Sequence, residues 1–252
     1  MKYALLIAYD GTCYGGWQIQ QNAVTVQEKI TCALERVLGF SVNVTASGRT
    51  DSGVHAAAQV CHFDADCSIP PERMADAVNV YLPDDIRVLQ SAGAPESFDA
   101  VKSAKKKTYC YRVYLSKRGN PLKDRYAVNV KFEIDFKKLN RAAKIFEGEH
   151  DFKAYCASGS QVKTTVRKIY SVSVKTEEFR GSRDVEIYVT GNGFLYNMVR
   201  TLAGTMLDFA AGRLTETDLI NSLEKGDRSS VGKTMPPQGL TLESVDYGFK
   251  LF

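Results

Sequence analysis

The chain has 252 residues, 44% of them hydrophobic and 25% charged. That is the composition of a globular protein with enough length for one large or two small domains and a core that needs neither metal nor disulfide. A net charge of +4 permits nucleic-acid contact without demanding it. Six scattered cysteines with no Cys-x-x-Cys pair argue against a disulfide scaffold and for a reduced, cytoplasmic setting. The apolar run from Ala4 to Ala8, broken by Asp10, is too short for a secretion signal or a membrane span.

In chain order, Tyr3 to Tyr9 is expected to form a buried strand that ends at Asp10-Gly11. A helix follows. Thr25 is its expected N-cap and Glu28 completes a capping box; Val26, Ile30, Ala33, Leu34, Val37 and Leu38 form one apolar stripe; Gly39 stops it. Val42 to Ala46 and Ala57 to Phe63 are expected strands joined by a polar, glycine-containing loop. Pro70 and Pro71 open a helix through Met74, Val78 and Leu82, and Ile86 to Gln90 is a fourth strand. The order β-α-β-β-α-β is that of a ferredoxin-like unit.

The second half repeats this order loosely, with the boundary placed in Gly93 to Lys107. Tyr109 to Leu115 is an expected strand, its alternation placing Tyr109, Tyr111 and Val113 on one face. Phe136 to Phe146 is an expected helix; Val166 to Val174 and Val185 to Thr190 are strands. A long apolar helix runs from Leu195 to Ala211, a short one from Thr215 to Leu223, and Leu240 to Tyr247 is the last strand.

Several motifs fail on their residues. Gly48 and Gly53 have P-loop spacing, but Val54-His55 stands where Lys-Ser/Thr is required. Gly191-Asn192-Gly193 lacks the third glycine of a dinucleotide fingerprint, and there is no Gly-x-Ser-x-Gly elbow. Cys61, His62, Asp64, Asp66 and Cys67 are crowded, but strand alternation sends neighbours to opposite faces and argues against zinc. Lys102, Lys105, Lys106 and Lys107 form a basic run that by itself is a solvated face. Together with Arg49, Arg167, Lys168, Arg180 and Arg183 it becomes a candidate for phosphate contact.

The segment Ala46-Ser47-Gly48-Arg49-Thr50-Asp51-Ser52-Gly53-Val54-His55-Ala56 is unusual. Two glycines bracket an arginine and an aspartate, and small neighbours let a ligand approach the backbone. Taken alone it is first a turn, because Asp-Ser-Gly makes tight turns for reasons unrelated to catalysis.

Gly48 to Ala56 nevertheless resembles the catalytic signature of the bacterial tRNA pseudouridine synthase A family. The similarity extends along the chain in order: Tyr9 to Gln20; Phe98-Asp99-Ala100 with Lys107 to Arg112; Gly148 to Tyr155; Asn192-Gly193-Phe194 through Met198-Val199-Arg200 and Gly204; and Pro236 to Leu240. One departure is Ser52, where the family often has alanine.

The resemblance implies an α+β pseudouridine synthase fold. Two ferredoxin-like, RRM-like subdomains with largely antiparallel sheets would flank a central basic cleft, residues 1–104 carrying the catalytic aspartate loop and residues 105–252 forming the other half. It implies a homodimer acting on tRNA uridines 38, 39 and 40 of the anticodon arm. By the same carry-over Asp51 is the essential catalytic residue and Arg200 pairs with it. Tyr109 lies against the target uracil and is a candidate acceptor or relay for the C5 proton. Leu240 covers the other face of the base, and Arg49 helps hold the place it vacates.

The reaction breaks N1–C1′, turns the uracil and joins C5 to C1′, with no atom gained or lost, so no cofactor, metal, nucleotide or membrane is implied. The base must leave its stack, at a cost of a few kcal/mol. Burial would protonate the aspartate unless a guanidinium holds it ionised. Whether Asp51 attacks the uracil ring, attacks C1′ or deprotonates C2′ is open on the sequence. Two alternatives stand beside this reading: a non-catalytic RNA-binding module, and a synthase of the same family acting on ribosomal RNA.

Overall fold

The structure is a computed structural model and describes residues 1–157, 159, 162–179 and 181–252; Arg180, one of the candidate phosphate contacts, lies outside the described residues. The fold is mixed α+β with largely antiparallel sheets. It forms two compact units, Met1–Lys107 with Thr241–Phe252, and Thr108–Leu240. Among the described residues no helix is long and apolar enough to cross a membrane.

The first unit opens with β1 (Lys2–Tyr9), α1 (Val26–Leu38), β2 (Thr45–Ala46), β3 (His55–Asp64), α2 (Met74–Asn79) and β4 (Ile86–Ala94). The strands lie in the order β4-β1-β3-β2, every neighbour antiparallel. That is the ferredoxin-like order expected from the element sequence. Thr25 and Glu28 form the capping box of α1, and Gly39 closes it in the left-handed conformation at φ 79°. The stripe residues Val26, Ile30, Ala33 and Leu34 are all buried.

Two elements are shorter than their apolar pattern. Only Thr45 and Ala46 pair with β3, so Val42 lies outside the strand. Leu82 lies beyond α2, which ends where the Asn79 amide donates to the Val88 carbonyl at 2.8 Å and accepts from the Val88 N–H at 2.9 Å. This side chain satisfies backbone of β4, which stands at the edge of the sheet.

The second unit contains β5 (Lys106–Leu115) from Thr108 onward, β6 (Val128–Val130), α3 (Phe136–Phe146), β7 (Gly148–Asp151), β8 (Val166–Phe179), β9 (Ser182–Gly191), α4 (Met198–Ala210) and α5 (Glu216–Glu224). Its strands run β5-β9-β8-β7, with β6 parallel to β5. The short strands β6 and β7 have no alternation long enough to be read from sequence. The buried stripe of α3 is Leu139, Ala142, Ala143 and Phe146, and α3 packs on α4. α4 starts three residues later than its apolar run because Asn197 takes the left-handed conformation at φ 62°.

The final strand, β10 (Leu240–Asp246), departs from simple chain order. Thr241 and Leu242 pair in parallel with His55 and Ala56 of β3, so the segment from Thr241 belongs with the first unit rather than with the half that precedes it. Packing explains this. Tyr247 meets Phe98 at 5.0 Å between ring centroids and donates to the Ala100 carbonyl at 3.0 Å, in a core shared with Ala4 and Val60.

Candidate active site

The loop between β2 and β3 carries Arg49 and Asp51. Its backbone is held from both sides within the first unit. Ser47, fully buried, donates its N–H to Val60 O at 2.7 Å and its hydroxyl to Gln59 Oε1 at 2.6 Å. The Gln59 amide donates to Gly48 O at 2.9 Å. Gln59 is itself fully buried on β3, so its amide is committed to this loop; an unpaired amide there would be costly.

The Tyr9–Trp17 segment braces the far side. The Tyr9 hydroxyl meets the Thr50 hydroxyl at 2.7 Å, and burial pushes the Tyr9 phenol well above its usual range. Trp17 N–H donates to Thr50 O at 3.0 Å, Gly53 N–H to Tyr14 O at 3.3 Å, and Ser52 Oγ to Tyr14 O at 3.2 Å. Two glycines make this contact possible. A Cβ on Gly11 would fall 2.0 Å from Val54 O, and one on Gly16, at φ 94°, would fall 2.5 Å from Thr50 O. Val54 N–H closes the turn by donating to Asp51 O at 3.1 Å. Within this frame Asp51 is half-buried and Arg49 exposed: the main chain is fixed while the charged side chains remain accessible.

In the second unit, Tyr109 is a buried residue of β5 whose ring meets Phe194 edge-on at 5.2 Å. Arg200, on the first turn of α4, is oriented by two acceptors. Its Nε donates to Met235 O at 2.7 Å and one terminal nitrogen to Asn197 Oδ1 at 2.6 Å. The left-handed residue that starts α4 therefore also aims this guanidinium.

The segment from Gly232 to Met235 is stitched along α4. Gly232 N–H donates to Thr205 Oγ1 at 3.0 Å, the Thr201 and Thr234 hydroxyls meet at 2.9 Å, and Met235 N–H donates to Arg200 O at 3.3 Å. Gly204 permits the approach, since its Cβ would stand 2.0 Å from Lys233 O. Beyond it, Tyr111 donates to Pro236 O at 2.7 Å, and a Cβ on Gly239 would fall 2.8 Å from both the Tyr111 ring and Arg112 O. These contacts seat the turn that presents Leu240, which is buried.

Tyr111 is thus more than a neighbour of Tyr109 on the same face. It holds the segment of another candidate residue, and burial raises its phenol far above the ordinary range despite the opposing charge of Arg200.

The basic run divides. Lys102 is a surface residue 3.7 Å from Asp99, and Lys105 and Lys106 are exposed. Lys107 turns inward and donates from Nζ to Ser47 O at 2.5 Å, so it is not part of a solvated face. Sequence reasoning gave no role to Gln59 and gave Lys107 only a share in phosphate contact. The one signal for Gln59 was a polar residue inside an otherwise apolar strand. The resemblance motifs also separate by role. Phe98, Ala100, Phe152 and Tyr155 build core, whereas Tyr9 to Trp17 and Gly204 to Met235 brace candidate residues.

A sequence profile described as tRNA pseudouridine synthase matches residues 5–101 and 142–248, which include Arg49, Asp51, Arg200 and Leu240 but not Tyr109. Relatives match nearly end to end. A protein named tRNA pseudouridine synthase A from Ruminiclostridium cellulolyticum is 46% identical over 98% of this chain and 99% of its own. One of the same name from Caldicellulosiruptor bescii is 42% identical over 96% of this chain and 98% of its own. One from Bacillus subtilis is 43% identical over 98% of this chain and 99% of its own.

Proposed function

The chain belongs to the tRNA pseudouridine synthase A family and isomerises uridine to pseudouridine in tRNA; on that premise we propose that Asp51 is the residue on which the reaction depends. The observation that carries this reading is the frame around Asp51. The Gln59 amide and the Trp17 N–H hold the main chain at Gly48 and Thr50, before a half-buried carboxylate, and the Gly53 N–H bond to Tyr14 O holds it after. Fixing a catalytic group in its reacting geometry before substrate arrives is worth several kcal/mol of barrier.

The other roles follow the same reading. Arg200 keeps the Asp51 carboxylate ionised in a site that closes over a base; its fixed guanidinium supports this, since two parallel hydrogen bonds to a carboxylate require a set orientation. Tyr109 and Leu240 replace the stacking that the extruded uracil loses, and the Tyr109 hydroxyl takes or relays the C5 proton once C5 is bonded to C1′. Arg49, exposed beside Asp51, occupies the place the base leaves. The targets are uridines 38, 39 and 40 of the anticodon arm, and the enzyme works as a cytoplasmic homodimer, which doubles the basic surface of a modestly charged chain.

Release of tritium from tRNA labelled at uracil C5 tests the core of the proposal. Asp51→Asn, nearly isosteric, is expected to release none under single-turnover conditions while tRNA affinity stays within about threefold of wild type. Product from the purified variant would refute the assignment. Mapping pseudouridine by carbodiimide and primer extension in RNA from a deletion strain tests the sites, and loss confined to ribosomal RNA would refute tRNA as the target.

A further inference from the structure

Lys107 ends the N-terminal segment of the first unit. Its ammonium donates to Ser47 O at 2.5 Å and lies where a Cβ on Gly48 would come within 3.0 Å of it. The carbonyl of the next residue, Gly48, is held by the Gln59 amide at 2.9 Å. The two peptide planes flanking Gly48 are therefore pinned from different directions. Glycine is the residue whose backbone most needs this, having no Cβ to restrict it. Asp51 follows three residues later.

An ammonium is an expensive way to fill this position. Burial holds the Lys107 pKa below the usual lysine range. Among the described residues its hydrogen-bond partner is a neutral carbonyl rather than a carboxylate. A leucine or methionine would occupy the space without desolvating a charge, so space-filling does not account for the residue.

We propose that Lys107 is a positioning residue for Asp51, clamping the Ser47–Gly48 peptide and thereby the path of the loop from Gly48 to the carboxylate. The proposal rests on the reading of Asp51 as catalytic, and it gives Lys107 a task separate from phosphate contact.

The test is single-turnover tritium release with saturating enzyme, which isolates the chemical steps from binding, alongside tRNA affinity and thermal midpoint. Lys107→Met keeps the stem and removes the donor. It should lower the rate about 100-fold, the scale of a small misplacement of a catalytic group, with affinity within about threefold. Lys107→Arg keeps a donor and should recover at least about tenfold of that loss.

Gly48→Ala offers a second handle that leaves Lys107 in place. Its Cβ would crowd Nζ at 3.0 Å and should slow the same step. Wild-type rates in both Lys107→Met and Gly48→Ala would overturn the proposal. So would a loss confined to affinity, which would make Lys107 a phosphate contact, or a Lys107→Arg variant as slow as Lys107→Met. Asp51→Asn measured in parallel separates the two readings. Turnover there removes the premise, whereas an inactive Asp51→Asn beside a fully active Lys107→Met removes only the role of Lys107.

Discussion

Gly204→Ala sets two effects of opposite sign against each other. Residue 204 is inside α4, where alanine is favoured over glycine by about 1 kcal/mol. The added methyl, however, would stand 2.0 Å from Lys233 O and near the Met235 side chain. Helix and segment must part by about 1 Å, and overpacking of this kind costs roughly 1–3 kcal/mol. The separation also strains the links that stitch the segment to α4, Gly232 N–H to Thr205, Thr201 to Thr234 and Met235 N–H to Arg200 O. Each such bond is worth about 0.5–1.5 kcal/mol net.

With two of them lost, the balance is a destabilisation of about 1–5 kcal/mol, and packing outweighs propensity. The Arg200 Nε bond to Met235 O moves with the segment, so single-turnover tritium release should fall by about 100-fold even in the folded variant. Urea unfolding gives the stability change as a shift of midpoint at constant slope. A Gly204→Ala protein about 1 kcal/mol more stable than wild type and fully active would refute the reasoning, because the segment would then be free to yield.

Four further substitutions separate the roles assigned to individual side chains. Tyr109→Phe should bind tRNA normally yet fail to release tritium, whereas Tyr109→Leu should lose base stacking as well; wild-type release from Tyr109→Phe would leave Tyr109 a stacking role only. Arg200→Lys is expected to be severe, about 100-fold in turnover, because an ammonium cannot satisfy Met235 O, Asn197 and a carboxylate from one rigid plane; near wild-type kcat would sink the pairing. Tyr111→Phe removes the hydrogen bond to Pro236 O and leaves that carbonyl short of a partner, at about 1–3 kcal/mol of stability; a melting curve identical to wild type would show that the Leu240 turn is seated by packing alone.

The sequence by itself determined the elements with long periods and strong punctuation. The Thr25–Glu28 capping box, the stripe of α1 and its glycine stop appear in the structure as their local chemistry dictates, and so does α3 from Phe136 to Phe146. These depend on residues within one or two turns of each other. The candidate residues were legible in the same way: a Gly-Arg-Thr-Asp-Ser-Gly run is a string of neighbours, and its resemblance to a known signature is a property of the string.

Tertiary structure decided what depends on residues far apart in the chain. Thr241 to Phe252 joins the first unit because Thr241 pairs with His55 and Tyr247 packs on Phe98, contacts that no local pattern encodes. α4 begins at Met198 rather than Leu195 because Asn197 is left-handed and its side-chain oxygen receives Arg200. By charge alone Lys107 reads as the end of the run of exposed lysines before it, yet its ammonium turns inward to a carbonyl sixty residues earlier in the chain. Gly11, Gly16 and Gly204 are ordinary glycines on paper; each is required because another stretch of backbone passes closer than a Cβ allows. Periodicity and capping are local and can be read from neighbours, whereas the bracing of the Gly48–Gly53 loop is a set of long-range contacts that exist only once the chain has folded.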